Sequence, residues 1–175
     1  MDMYLDGDDG ESTPQTSHPT FVAVAPDSFY DEADDLQPFG NDEGWDTLRL
    51  LEDYYRGGGS DEQAHEVISE MLAHWDFRVD EGWSLDEREL AAWVDKNSSR
   101  AMFLMDEANA CIAAALGQFK IRGLITQPMA QRGEVAVGIR RRLGARQADQ
   151  EPDWPVEEDR AVLDEIARVI AAAPR

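Results

Sequence analysis

The sequence predicts a mainly α fold: a single compact helical domain with one or two short strands at most, preceded by an acidic N-terminal tail. The chain has 175 residues, 42% of them hydrophobic and five of them Trp, which suits one domain with a sizeable core. Several segments repeat apolar residues at helical spacing. Capping residues and glycines separate these segments, as expected of consecutive helices.

The N-terminal part carries few helical signals. Residues 1–17 are acidic and rich in Gly, Ser and Thr, and we predict a mobile tail there because such a segment buries little apolar surface. The helical domain is then expected over residues 18–174. Within it, residues 20–26 (TFVAVAP) are β-prone and end in proline, a pattern typical of an edge strand.

The first two helices are predicted from periodicity and their ends. Residues 41–56 place apolar side chains near one face, and the glycines at 57–59 end the helix. Ser60 and Gln63 have the spacing of a capping box for a second helix. The apolar residues of 64–75 follow an amphipathic pattern, so this helix should bury one face.

The middle of the chain is expected to supply the central helix. Ser84 and Glu87 have the capping-box spacing and predict the start of a third helix. Residues 100–105 (RAMFLM) fit either a helix or a strand. Asp106 then suits the N-cap of the most apolar helix, which should stop at Gly123.

Two segments remain at the C-terminal end. Residues 134–146 alternate like a strand in their first half but also fit a helix, which we favour. Pro155 stands where a first-turn proline belongs, and the acidic residues after it suit the N-terminus of a last helix.

Charge is the strongest global property of the chain. The net charge is −21, which disfavours nucleic acid and anionic membrane surfaces as partners and favours a basic protein partner. No Lys or Arg precedes Arg49, and before it stand the carboxylates Asp2, Asp6, Asp8, Asp9, Glu11, Asp27, Asp31, Glu32, Asp34, Asp35, Asp42, Glu43 and Asp46. Residues 118–146 are basic instead. If the acidic residues before Arg49 fold beside this basic segment, the two neutralise each other. Otherwise they create a negative electrostatic field on one side of the protein.

Metal, cofactor and membrane signals are weak. His65 and Glu66 begin like a zinc-protease motif, but Ser69 stands where the second histidine belongs, so we predict no metal and no cofactor. No apolar run approaches the about 18 residues of a membrane span. The single cysteine, Cys111, argues against disulfides and favours a reducing cytoplasm, and the Ala- and Arg-rich composition suggests a bacterial source.

One turn stands out before the first long helix, within PFGNDEGWD at residues 38–46. We predict that it is structural, through Pro38, Phe39, Gly40, Asn41, Gly44, Trp45 and Asp46. Proline and glycine shape the turn, and the asparagine can cap the helix. A glycine within the first helical turn costs stability, which suggests that another group packs closely against the backbone there.

Three stretches resemble the YfeS-like family of small bacterial proteins: HPTF near His18, DSFYDEADDLQPFGNDEGWDTL at 27–48, and DEANACIAAALGQFKIRGLI at 106–125. Members of that family carry a similar Pro-Phe-Gly-acidic-Gly turn and an Asp-started helix. The resemblance covers roughly residues 18–125. It implies a small bacterial domain and no particular activity, because the family is uncharacterised.

We therefore expect a non-enzymatic acidic binding protein, such as an inhibitor, immunity-type factor or regulator, that engages a basic protein surface. The expected partner-binding residues are Asp31, Glu32, Asp34, Asp35, Asp42 and Glu43. One alternative is a hydrolase-type enzyme using carboxylates near Asp42 and Asp46, and another is a structural or oligomeric component. A deep apolar cleft holding Asp42, Asp46 and a histidine would favour the enzyme.

Overall fold

The computed structural model describes residues 3–7, 10–75, 79–84 and 86–175, with the backbone alone described at Glu87. All regular structure in these ranges is helical, in agreement with the mainly α prediction. The α-helices are α1 (Pro19–Val22), α2 (Asp42–Arg56), α3 (Ala64–Ala73), α4 (Glu87–Lys96), α5 (Ser98–Arg122), α6 (Gln127–Gln150) and α7 (Val156–Ala172). Short 3₁₀ helices occur at Pro14–Thr16, Asp27–Tyr30 and Asp80–Ser84.

Helix α5 is the centre of the fold, as predicted. It packs against α2, α6 and α7, with α1, α3 and α4 completing its surroundings, and nearly all of its C-terminal half is buried. Small residues allow this close packing. A side chain on Gly117 would lie 3.1 Å from Leu51 of α2, and one on Gly133 of α6 would lie 2.9 Å from Ala115.

The cap of α2 agrees with the prediction, whereas that of α4 does not. The Asn41 side chain accepts a hydrogen bond of 2.9 Å from the Gly44 N–H at the start of α2. Helix α4 instead begins after Asp86, which forms a reciprocal capping box with Glu89. The predicted Ser84 cap is therefore wrong because Ser84 ends a 3₁₀ helix, and the Glu87 side chain lies outside the described part of the chain.

The predicted edge strand at residues 20–26 is wrong. Residues Pro19–Val22 form the one-turn helix α1, with proline in its first turn and the His18 side chain accepting the Thr20 N–H. Burial of Phe21 outweighs the local β preference. Its ring lies edge-on to Phe119 of α5 at a centroid distance of 5.4 Å.

Two ambiguous segments are helical. Residues 134–146 lie within α6, which confirms the favoured alternative. Residues 100–105 belong to α5, which runs unbroken for 25 residues, so Asp106 is a mid-helix residue and the predicted cap there is wrong. Ala, Met and Leu at 101–105 are strong helix formers, and they continue the helical turn from Ser98 without a stop signal.

The N-terminal segment differs from the mobile tail predicted over residues 1–17. Of that range, residues 1, 2, 8 and 9 lie outside the described part of the chain. The backbone N–H groups of Tyr4 and His18 donate to the Ile121 and Lys120 carbonyls, at 3.1 and 2.7 Å. These carbonyls belong to the last turn of α5, which lacks intrahelical partners for them. The docked segment thus completes the end of the central helix.

A buried ion cluster holds this segment in place. Asp6 is 4% exposed, and its carboxylate accepts bonds from Lys120 Nζ at 2.6 Å and from Arg49 at 2.5 Å. Glu52 joins the cluster by accepting the Asp6 N–H at 2.9 Å and pairing with Arg49 at 2.7 Å. Burial raises the pKa of the Glu52 carboxyl. Local composition did not predict this docking because the Lys120 partner is 114 residues away.

Candidate functional site

The turn at residues 38–46 brings backbone into very close contact with backbone. A side-chain carbon on Gly44 would overlap the Pro38 carbonyl oxygen, and one on Gly40 would overlap the Asp34 carbonyl oxygen. The close approach expected at Gly44 is therefore made by the chain itself. Phe39, directly before Gly40, is 1% exposed and belongs to the core.

Gly44→Ala tests this packing because two physical effects oppose each other. Helix propensity favours Ala by about 1 kcal/mol. The Pro38 carbonyl leaves no room for a methyl group, and overpacking costs about 1–3 kcal/mol. We expect a net loss of stability in urea unfolding, and a stabilised Gly44→Ala variant would contradict the packing.

Gly138→Ala in α6 is the matched control for this experiment. A methyl group there would meet nothing closer than the Arg142 guanidinium, at 4.0 Å. Only the difference in helix propensity then acts, and we expect Gly138→Ala to raise the free energy of unfolding by about 0.5–1 kcal/mol.

The acidic loop that follows α1 and leads into α2 forms one wall of an open groove of about 730 Å³. Helices α5 and α6 form the opposite side. The lining residues are Ala33, Asp34, Asp35, Leu36, Asn41, Asp42, Glu43, Met105, Asn109, Arg140, Gln147, Trp154 and Pro155. We call this the acidic groove.

Four of the six predicted binding carboxylates line the acidic groove: Asp34, Asp35, Asp42 and Glu43. Asp35 and Asp42 are exposed, and the other two are half-buried. The remaining two lie beside it. Glu32 lines a shallow depression next to Phe39 and accepts the Ser12 N–H, while Asp31 accepts the Ala33 N–H in its own loop.

The basic segment does not neutralise this wall. Its ion pairs join Lys120 to Asp6 and Glu52, Arg122 to Asp61, Arg140 to Asp159, Arg141 to Asp164, and Arg146 to Asp95. Arg132 lies over the Trp83 ring, 3.8 Å from its centroid. Within the described residues, none of the six predicted carboxylates takes part in an ion pair. The groove wall therefore keeps its negative charge.

Arg140 is the basic side chain lining the acidic groove, and it is already engaged. It is 5% exposed and donates to Asn109 of α5 and, at 2.7 Å, to Asp159 of α7. Its Nε and the indole Nε1 of Trp154 are buried and find no hydrogen-bond partner among the described residues. The Arg140 charge is thus balanced by Asp159 rather than by the groove carboxylates.

Asp106 of α5 is not a lining residue of the acidic groove, but it is close enough to Glu43 to feel its charge. Burial, together with the nearby carboxylates Glu43 and Glu107, raises the pKa of Asp106 to about 6. An incoming cation would offset this repulsion and favour the ionised form. The electrostatics therefore suit recognition of positive charge.

In the described part of the chain, the acidic groove does not combine Asp42, Asp46 and a histidine, the set that would have favoured an enzyme. Asp42 lines the acidic groove but Asp46 does not, and none of the described lining residues is a histidine. His65 and His74 contact carbonyls of their own helical region instead. Cys111 is buried, and burial raises its pKa to about 11, far from a reactive thiolate. Among the described side chains, no group of three or more potential ligands is placed to hold a metal ion.

Several groove residues were missed from the sequence: Met105, Asn109, Arg140, Gln147 and Trp154. They come from three separate segments that meet only in the folded chain. One signal was available for Asn109, which is a polar position within the most apolar helix. Polar residues that interrupt an apolar helix often mark a contact with another polar group.

Comparison of the chain with protein-family models, curated proteins and solved structures found no match. The resemblance to the YfeS-like family therefore stays a prediction. No helix in the described ranges has the length and apolar character needed to cross a lipid bilayer.

Proposed function

We propose that this chain is an acidic binding protein whose acidic groove receives a basic segment of a partner protein. A single observation carries the proposal: among the described residues the groove carboxylates form no ion pair, although most arginines of the basic segment pair with other carboxylates. Asp35 and Asp42 of this wall are exposed to solvent. A cytoplasmic location, expected from the single cysteine, belongs to this proposal.

The acidic wall should act mainly on the rate and specificity of association. Unpaired carboxylates on one side of a groove attract a cationic segment over a Debye length of about 8–10 Å at moderate salt. Burial of the partner's Lys or Arg beside them then depends on pairing each charge. An inhibitor or regulator of a basic protein fits these properties.

The test measures where a basic peptide binds. The probe is a fluorescent Lys/Gly/Ser peptide without a helical tendency, followed by anisotropy at about 0.05 M salt. Asp34→Asn, Asp35→Asn, Asp42→Asn and Glu43→Gln are combined in one variant, the groove variant. We expect this variant to bind the probe about tenfold more weakly, which corresponds to about 1.4 kcal/mol.

The control variant removes the same number of charges away from the groove. It combines Glu62→Gln, Glu66→Gln, Glu70→Gln and Glu158→Gln, four exposed carboxylates that do not line the acidic groove. We expect it to bind within about twofold of the parent, because screened distant charges contribute little. Equal weakening in both variants would show that only the net charge matters, and the groove proposal would be wrong.

A further inference from the structure

A second, more apolar groove continues the acidic one along the same pair of helices. It encloses about 280 Å³, and its apolar side chains are Val94, Ala101, Met102, Met105 and Leu143. We call it the methionine groove. Met105 and Gln147 line both grooves, so the two form one trough between α5 and α6.

The trough follows one face of each helix. On α5 the lining residues Met102, Met105, Asp106 and Asn109 have the i, i+3, i+4, i+7 spacing of a single helical face. Ser98 lines one end and Asn109 the other, a separation of about 16 Å at 1.5 Å per residue. That length matches about three turns of a helix lying along the trough.

Apolar side chains are concentrated in the methionine groove, although Asp106 and Glu151 line it too, whereas most carboxylates line the acidic groove. Met102 is 69% exposed, an unusual position for a large apolar side chain next to other apolar groups. Methionine side chains adapt readily to varied apolar partners. At the far end of the methionine groove Arg146 is paired with Asp95, so its charge is already balanced. Among the described residues, the trough carboxylates without an ion pair are those of residues 34–43 together with Asp106 and Glu151, so the unpaired charge of the trough is negative.

We propose that the trough binds a basic amphipathic helix of the partner protein. This rests on the proposed function and names the form of the basic segment. The apolar face of the helix packs on Met102, Met105 and Leu143, and its Lys or Arg residues face Asp34, Asp35, Asp42 and Glu43. Helices bound in grooves commonly use such apolar anchors at i, i+3, i+4 and i+7. A second copy of this chain fits less well, because its net charge of −21 opposes close association.

The experiment compares two peptides of identical Leu and Lys composition. One places Leu at i, i+3, i+4 and i+7 on one helical face, and the other has the same residues scrambled so that no apolar face forms. Affinity is measured by anisotropy, and helix formation on binding by circular dichroism. We expect the amphipathic peptide to bind at least about tenfold more tightly than the scrambled peptide and to become helical when bound.

Met102→Gln tests whether this preference arises in the methionine groove. The substitution keeps the length and helix propensity of a side chain that is mostly exposed, so the fold should be retained. We expect it to remove most of the preference for the amphipathic peptide and to leave the scrambled peptide unaffected. Val135→Thr, on an exposed part of α6 outside the trough, is the control and should leave both affinities unchanged.

The possible failures are distinguishable. If the two peptides bind equally but the groove variant still weakens both, the helix proposal is wrong and the proposed function stands. If neither peptide binds, both proposals are wrong. If sedimentation instead shows a dimer that Met102→Gln abolishes, the trough is an interface between copies of this chain and the helix proposal is overturned.

Discussion

Replacing Asp6 with Asn is expected to destabilise the fold by about 3 kcal/mol, a large loss for a residue so close to the N-terminus. The substitution removes the charge that balances Lys120, whose side chain is 0% exposed. Glu52 remains 3.8 Å from Lys120 and still balances part of its charge. We therefore expect a loss of stability at the lower end of the about 3–5 kcal/mol that breaking a buried ion pair costs. Urea unfolding at neutral pH measures the effect.

A double-mutant cycle separates the ion pair from other effects of these substitutions. Lys120→Met removes the cation and keeps the apolar stem, and we expect the pair Asp6→Asn/Lys120→Met to lose much less than the sum of the single losses. Asp27→Asn, an exposed carboxylate of the same part of the chain, is the control and should be nearly neutral. If Asp6→Asn unfolds at the same urea concentration as the parent, the Asp6 ion pairs contribute nothing to stability and the prediction is wrong.

Phe39→Ala is expected to cost about 3–5 kcal/mol, because the ring is 1% exposed and its loss leaves a cavity in the core. Phe39→Leu should cost clearly less, since most of the apolar volume is kept. Thermal and urea unfolding both report this difference. An unchanged melting temperature in Phe39→Ala would show that Phe39 is not a core residue and is instead available for contact with another molecule.

The two Phe39 variants also connect the core to the acidic groove. Phe39 lies between Asp35 and Asp42 in sequence, and the turn that buries it holds both carboxylates on the same wall. Loosening of this turn should therefore weaken binding of the basic probe peptide more in Phe39→Ala than in Phe39→Leu.

Local signals predicted most of the helical fold. Asn41 before an amphipathic segment, the glycines after residue 56 and the apolar run ending at Gly123 each describe a helix end or a buried face within a few residues. The errors share a cause, which is a distant partner. Phe21 becomes part of a helix because it packs on Phe119, and Asp6 is ordered by Lys120, neither of which lies nearby in sequence.

The acidic wall of the candidate site could be predicted, but its opposite side could not. The density of carboxylates at residues 31–43 is visible in the sequence. The trough exists because α5 and α6 pack with Met102, Met105 and Asn109 beside Arg140 and Leu143, a register set by side chains elsewhere in the interface. Helical periodicity places these residues on one face of each helix without showing what they face.

The docking of the N-terminal segment also orders events in time. Asp6 is synthesised 114 residues before its partner Lys120, so the pair cannot form until most of α5 has left the ribosome. Until then the Asp6 carboxylate remains solvated, and the carbonyls in the last turn of α5 have not yet formed their hydrogen bonds with the N–H groups of Tyr4 and His18. The N-terminal segment therefore docks late, after the helices that follow it in sequence have folded around α5.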